Sequence, residues 1–246
     1  MNNFLNVLGI SGSPRKGNSE YLLQHAFNGC RDAGVKPEKV ISYSFRGKKI
    51  GPCLACNRCI EEGGACVIED DFDSLRELWL SADVIIYSMP VYHMSMPGQV
   101  KCFIDRLGNS LFGKYKDLFP SGEETLPKFL KIIGSIAQGI HISSGQEHTI
   151  TDLINHAIIM QSIPVTGDLW QSYIGCGGWT SNEIDRHALQ QQYDDNSFDA
   201  TVAVKSAYDI GRRAVEVCSI VHAGIIANKK ALADDPAYKP LLDKIC

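Results

Sequence analysis

Residues 4–19 read FLNVLGISGSPRKGNS, an apolar run of strand length that breaks off into a loop of glycine, serine and asparagine. Helical periodicity begins at Ser19 and runs to Ala33, so the stretch reads as strand, tight turn and helix, the opening of a βαβ unit. The same alternation recurs down the chain. KVISYSF (39–45), DVIIYSM (83–89), FLKIIGSI (129–136) and IPVTGDL (163–169) have the length and content of strands, with helical segments at 71–80, 98–107 and 147–161 between them. The unbroken apolar character of 83–89 belongs to a strand covered on both faces. The expected fold class is therefore α/β, with five parallel strands between helical layers and a further helix over 200–223. Residues 170–199 are polar and aperiodic and read as an irregular excursion. Residues 218–246 read as a C-terminal tail extension to a domain of residues 1–217. No internal repeat or interdomain linker interrupts the pattern.

Composition narrows the function classes. With 246 residues, 44% of them hydrophobic, the chain can bury a sizeable core. Its 24 basic residues against 28 acidic ones give a formal charge of -4. That balance supplies no broad basic field for nucleic acid or an anionic membrane. The first residues lack a basic leader, and no segment approaches about 18 uninterrupted apolar residues. A cytoplasmic location is expected, where thiols stay reduced and clustered cysteines serve metal binding or catalysis rather than disulfides.

The loop after the first strand, SGSPRKGNS (11–19), spaces Gly12 and Gly17 like a phosphate-binding P-loop, but Asn18 stands where the lysine of that motif belongs. It also lacks the GxGxxG of a dinucleotide fold. What remains suits a phosphate monoester: the hydroxyls of Ser11, Ser13 and Ser19, the Asn18 amide, the Arg15 guanidinium, and free backbone N–H groups at a helix N-terminus. The same residues would also serve as a plain helix cap with a turn proline, Pro14.

A second motif follows the second strand. PCLACNRCIEEGGAC (52–66) carries four of the nine cysteines, spaced Cys53-x2-Cys56-x2-Cys59-x6-Cys66. Two successive x2 gaps let three thiolates converge on one small object, and Gly63 and Gly64 permit the turn that returns the fourth. A [4Fe-4S] cluster fits this spacing best. A zinc site and four unmetallated thiols are the alternatives, although structural zinc sites usually separate their two CxxC pairs by a longer stretch. Cys30, Cys102 and Cys218 fall on apolar helix faces as small hydrophobes. Asp70, Asp71 and Asp73 read as caps of the next helix, and Lys101, Asp105 and Arg106 as fold-stabilising.

Four segments carry a family resemblance. GISGSPRKGNS (9–19), SMPVYHMSMPGQVKCFIDR (88–106) and SIAQGIHISSGQE (135–147) resemble the three flavin-contacting loops of the flavodoxin-like, NADPH-dependent FMN reductase superfamily. CLACNRCIEEGGACVIEDDF (53–72) resembles the compact cysteine motif of its iron-sulfur flavoprotein branch. The resemblance implies a flavodoxin-like sheet of order 2-1-3-4-5 with the flavin over its C-terminal edge. It places the FMN phosphate in the first loop, at Ser11, Ser13, Pro14, Arg15, Gly17, Asn18 and Ser19. It lays Pro90, Val91, Tyr92, His93 and Met94 against the isoalloxazine ring. Ala137, Gln138 and Gly139 are the third set of contacts, although the paired glycines usual in that loop are absent here.

The function so implied is an oxidoreductase that passes electrons between a [4Fe-4S] cluster on Cys53, Cys56, Cys59 and Cys66, FMN and an acceptor. The chemistry lies at the flavin, and no side chain is required as a catalytic acid. An NAD(P)H-dependent FMN or quinone reductase without a cluster is the alternative, and a flavin-binding carrier module a third. NAD(P)H is the possible co-substrate, a small-molecule acceptor, a quinone or a ferredoxin-type carrier the expected partner, and a homodimer or homotetramer the expected assembly.

Overall fold

The computed structural model describes residues 4–119 and 125–246. Along the chain run β1 (Val7–Ser11), α1 (Asn18–Asp32), β2 (Val40–Ser44), α2 (Arg58–Glu61), α3 (Phe72–Ser81), β3 (Val84–Pro90), α4 (Gly98–Tyr115) and β4 (Ile132–Gly139). Then follow α5 (Gln146–Ile159), β5 (Ile163–Val165), β6 (Cys176–Trp179), α6 (Ala188–Asp194), α7 (Phe198–Ala227), α8 (Lys229–Leu232) and α9 (Lys239–Ile245). The strands form one sheet of order β2-β1-β3-β4-β5, all neighbours parallel.

Alternation along the strands builds two cores. Val7, Val84, Ile86, Ile132 and Ile136 pack with Leu22, Leu23 and Phe27 of α1 and with Ala203, Ala207 and Ile210 of α7. The intervening residues Leu8, Ile10, Ile85, Tyr87 and Ile133 face Phe72 and Trp79 of α3, Val100, Phe103 and Leu107 of α4, and Leu153 of α5. Because both sheet faces are covered, β1, β3 and β4 are buried at every position, which is why they read as continuous apolar runs. Each large apolar side chain so buried contributes roughly 1.5–3 kcal/mol. β2 is the edge strand, with Ile41 partly exposed.

Three expectations are corrected. Strand five spans Ile163–Val165 and does not reach residue 169. Asp168 instead pairs with Arg212 and Arg213 of α7, and the chain leaves the sheet. The excursion is not wholly irregular: it returns as β6, which pairs with Ile136–Gly139, and then forms α6. One lane beside β4 is thus shared by two strands, β5 on its first half and β6 on its second. α4 continues eight residues past Leu107, carried by Leu111 at helical spacing from Val100, Phe103 and Leu107.

α7 runs unbroken through residue 217. The chain after it folds back, so that Ile225, Leu241 and Leu242 pack with Leu130 and Val221. Lys244 Nζ bonds Asp83 Oδ1 at 2.5 Å, just before β3, which puts this end of the chain beneath the N-terminal edge of the sheet. The loops after β1, β2, β3 and β4 lie at the opposite edge. Among the described residues no helix is long and apolar enough to cross a membrane.

Candidate functional site

At the C-terminal edge, where β1 and β3 diverge toward β2 and β4, the loops line an open cleft. This switch point is where open α/β sheets bind ligands. Ser13, Arg15, Gly17, Asn18 and Ser19 form one wall, Pro90, Val91 and Tyr92 a second, and Gln138 and Gly139 a third. Ten residues expected from three separated segments therefore meet in one place. Ser11 and Ala137 lie fully buried in β1 and β4, while Pro14, His93 and Met94 are exposed and outside the lining.

The first wall is suited to an anion. α1 begins at Asn18 with Gly17 as its N-cap and no capping side chain, so its first N–H groups stay open to a ligand. Ser13 Oγ donates to the Arg15 carbonyl at 2.7 Å and accepts from Arg15 N at 3.3 Å, which fixes the loop. The Asn18 side chain faces the excursion instead: its Oδ1 accepts from Leu189 N at 3.1 Å and its Nδ2 donates to the Asp185 carbonyl at 3.3 Å. That tie brings Arg186 into the lining beside Arg15. Arg186 and Ile140 were not legible as site residues. Ile140 directly follows the third loop, whereas nothing in TSNEIDR links Arg186 to residues near 15.

The second wall is a tight hairpin. Tyr92 and Ser95 exchange backbone hydrogen bonds of 2.8 and 3.1 Å across His93 and Met94. Both central residues are left-handed, with φ of 45° and 69°. This turn form usually takes glycine or asparagine, so two ordinary side chains here are a strained arrangement held by its neighbours. Ser95 Oγ donates to Asp152 Oδ2 of α5 at 2.5 Å, and Val91 N donates to the Gln138 carbonyl at 2.8 Å, tying the second wall to α5 and to the third wall.

The cysteine loop forms a separate pocket, lined by Cys53, Cys56, Cys59 and Cys66 together with Arg106, Asn109 and Ser110 of α4. Left-handed Ala55 and Asn57 curl the chain around it. The pocket rests directly on α4: a Cβ on Gly113 would stand 2.0 Å from the Cys59 carbonyl oxygen, so only glycine allows this approach. Ser110 Oγ and Arg76 Nη1 both donate to the Gly64 carbonyl, at 2.5 and 3.0 Å. Burial pushes the Cys59 thiol upward in pKa.

Arg106, 2% exposed, holds the end of that loop. Nη1 donates to Asp70 Oδ2 at 2.6 Å and Nη2 to Cys66 Sγ at 3.2 Å. Burial opposes the charge on each member of the Arg106–Asp70 pair. Their mutual bond, with the Gly51 and Phe72 N–H groups on Asp70, outweighs it and holds the carboxyl below its usual range and the guanidinium above. Among the described residues no three metal-binding side chains stand close enough to hold one ion. A tetrahedral ion with bonds of about 2.3 Å would draw its thiolates to within about 4 Å of one another. A four-iron cluster takes one thiolate per iron and so asks for a wider ring of thiolates than a single ion does.

A flavodoxin-type sheet whose loops after β1, β3 and β4 line one cleft at the switch point is the framework of a flavin-dependent oxidoreductase. The chain belongs to the NADPH-dependent FMN reductase family, whose family model matches residues 5–169, and FMN is accordingly its cofactor. It is 30% identical over 219 residues to an iron-sulfur flavoprotein of Methanocaldococcus jannaschii, covering 88% of this chain and 99% of that protein. An iron-sulfur flavoprotein of Methanosarcina thermophila is 30% identical over 187 residues, 76% of this chain and 88% of that protein. In structure the chain resembles the flavodoxin, WrbA-like protein of Agrobacterium tumefaciens, with a TM-score of 0.54 at 14% identity over 87% of this chain and 98% of that one.

Proposed function

We propose that this protein is an iron-sulfur flavoprotein that passes electrons between a [4Fe-4S] cluster, FMN and an acceptor. The observation that carries the reading is that all four cysteines of the spaced motif line one pocket. Cys53, Cys56, Cys59 and Cys66 would ligate the four irons, while Arg15, Arg186 and the open N-terminus of α1 would hold the flavin phosphate. Tyr92 and Gln138 would position the ring. When bound, FMN supplies both hydride and single-electron chemistry and so joins one-electron carriers to two-electron acceptors. The chain's own task is to orient and shield, with no side-chain acid or base required.

A ferredoxin-type carrier or NAD(P)H would be the donor, and a quinone or another small molecule the acceptor, in a cytoplasm that keeps the thiols reduced. Ile158 and Ile159 of α5 and Met94 of the hairpin are exposed apolar residues that a second copy would cover in a dimer or tetramer.

The test is anaerobic purification followed by flavin, iron and acid-labile sulfide assays per chain. The expected result is about one flavin and four irons. Cys59→Ala should lose the iron and retain FMN, because the two pockets are built from different loops. Protein that stays iron-free after reconstitution would falsify the cluster reading, and steady NAD(P)H oxidation by such protein would select a cluster-free reductase.

A further inference from the structure

α4 supplies the floor of the cysteine pocket, and two of its side chains, one turn apart, reach sulfur. Arg106 Nη2 lies 3.2 Å from Cys66 Sγ, and Asn109 Nδ2 lies 3.7 Å from Cys53 Sγ. A backbone donor joins them, Ala55 N at 3.4 Å from Cys53 Sγ. Two of the four proposed ligands thus receive N–H groups, at opposite ends of the motif.

The arginine is far more constrained than its sulfur contact alone requires. Its Nη1 also reaches the Gly51 carbonyl at 3.3 Å and its Nη2 the Ile68 carbonyl at 3.3 Å, so the chain on both sides of the cysteines is pinned to it. The guanidinium stacks 4.3 Å from the centre of the Phe72 ring. Asp70 neutralises its charge, and is itself fixed by the Gly51 and Phe72 N–H groups at 2.8 and 3.0 Å. What Cys66 meets is therefore a fixed donor inside a balanced ion pair, aimed at one sulfur.

Resting on the cluster reading above, we infer that Arg106 and Asn109 are positioning residues that set the reduction potential of the cluster through hydrogen bonds to Cys66 and Cys53. Reduction adds one electron from a one-electron donor; no bond is made or broken and no proton moves. The added negative charge spreads onto the ligand sulfurs, where a fixed N–H donor stabilises it more than it stabilises the oxidised form. These donors hold the potential higher than four thiolates alone would.

The test is a dithionite titration of the reconstituted holoprotein, followed by electron paramagnetic resonance, with iron and FMN counted in the same samples. Arg106→Lys keeps a cation beside Asp70 but loses the planar donor to Cys66. At the wild-type midpoint its reduced-to-oxidised ratio should fall about tenfold, a shift of about 59 mV for one electron. Asn109→Leu, at an exposed position, should lower the ratio severalfold with iron and FMN unchanged, and Asn109→Asp should lower it further. Unchanged midpoints in Asn109→Leu and Asn109→Asp, with full iron, overturn the inference while leaving the cluster reading intact. Should Arg106→Lys fail to retain iron, the Asn109 variants decide the matter. A wild-type protein without iron overturns the cluster reading itself, and the inference with it.

Discussion

Gly145 packs against the backbone of Met94 so closely that a Cβ would stand 2.5 Å from both its Cα and its carbonyl oxygen. Gly145 caps α5 at φ 107°, and Met94 is the second left-handed residue of the hairpin, so the second and third walls of the cleft lock each other in place. In Gly145→Ala the left-handed backbone alone costs about 1–2 kcal/mol, and the methyl displaces the hairpin as well. FMN affinity should drop about tenfold, as read by quenching of flavin fluorescence. An unaltered affinity would show that the hairpin keeps its form without this contact.

Arg186 enters the cleft from a segment about 170 residues away from Arg15, and the Asn18 bonds to Asp185 and Leu189 hold that segment there. If Arg186 pairs with the flavin phosphate, Arg186→Ala should lose about 1.5–3 kcal/mol of binding, the scale of a charge-assisted hydrogen bond. Riboflavin, which lacks the phosphate, serves as the control ligand. Its affinity should be the same in both proteins, and an equal loss for FMN and riboflavin would assign Arg186 to shaping the cleft.

The difference between Arg15 and Arg186 also marks the limit of what the sequence makes legible. Arg15 lies in a glycine- and serine-bordered turn after a buried strand, where local chemistry announces a site. β6, by contrast, is CGGW, and two glycines in four residues erase the strand signal that β-branched side chains give. It forms because β4 has a free flank to pair with, a tertiary fact that no window of residues contains. Misreading 170–199 as irregular therefore hid the strand and helix between which Arg186 is delivered. The same reasoning explains Arg106. Its pattern with Lys101 and Asp105 suggests a fold-stabilising residue, as it is, but its reach to Cys66 depends on how the loop returns over α4. The parallel sheet and the gathering of the four cysteines were legible because each rests on spacing or on burial at both faces, whereas the strand order came from the family resemblance of the loops.

Two glycines of α4 separate helix propensity from packing. Replacing a glycine by alanine within a helix ordinarily gains about 1 kcal/mol. Gly108 has nothing within 4 Å of its Cβ position, so Gly108→Ala should raise unfolding free energy by about that amount in urea titrations. At Gly113 the methyl would meet the Cys59 carbonyl, where overpacking costs about 1–3 kcal/mol. Gly113→Ala should therefore be less stable than wild type and hold less iron per chain after reconstitution. If both variants gain stability, α2 is not seated on α4 as described.

His156 gives the fold a defined pH dependence. Trp79 Nε1 donates to Tyr87 Oη at 3.1 Å, and Tyr87 Oη lies 3.1 Å from His156 Nε2, all three side chains buried beneath the sheet. The arrangement suits a neutral imidazole accepting a hydrogen bond from the tyrosine hydroxyl. Burial, with Lys101 adding to it, lowers the His156 pKa from an ordinary 6.5 to about 4. In the unfolded chain the ring protonates near 6.5, whereas in the fold it stays neutral until about 4, so acid favours unfolding. The stability from this neutral site is complete above pH 6.5, declines as pH falls, and is lost by the time pH passes through 4. Between pH 7 and 4.5 the loss is roughly 2–3 kcal/mol. Urea midpoints across that window should fall for the wild type. His156→Leu would be less stable at pH 7, because the buried Tyr87 hydroxyl loses its acceptor, yet its profile from pH 7 to 4.5 should be flatter by that same amount. A wild-type profile that does not decline between pH 6.5 and 4.5 would mean that His156 is already charged in the fold.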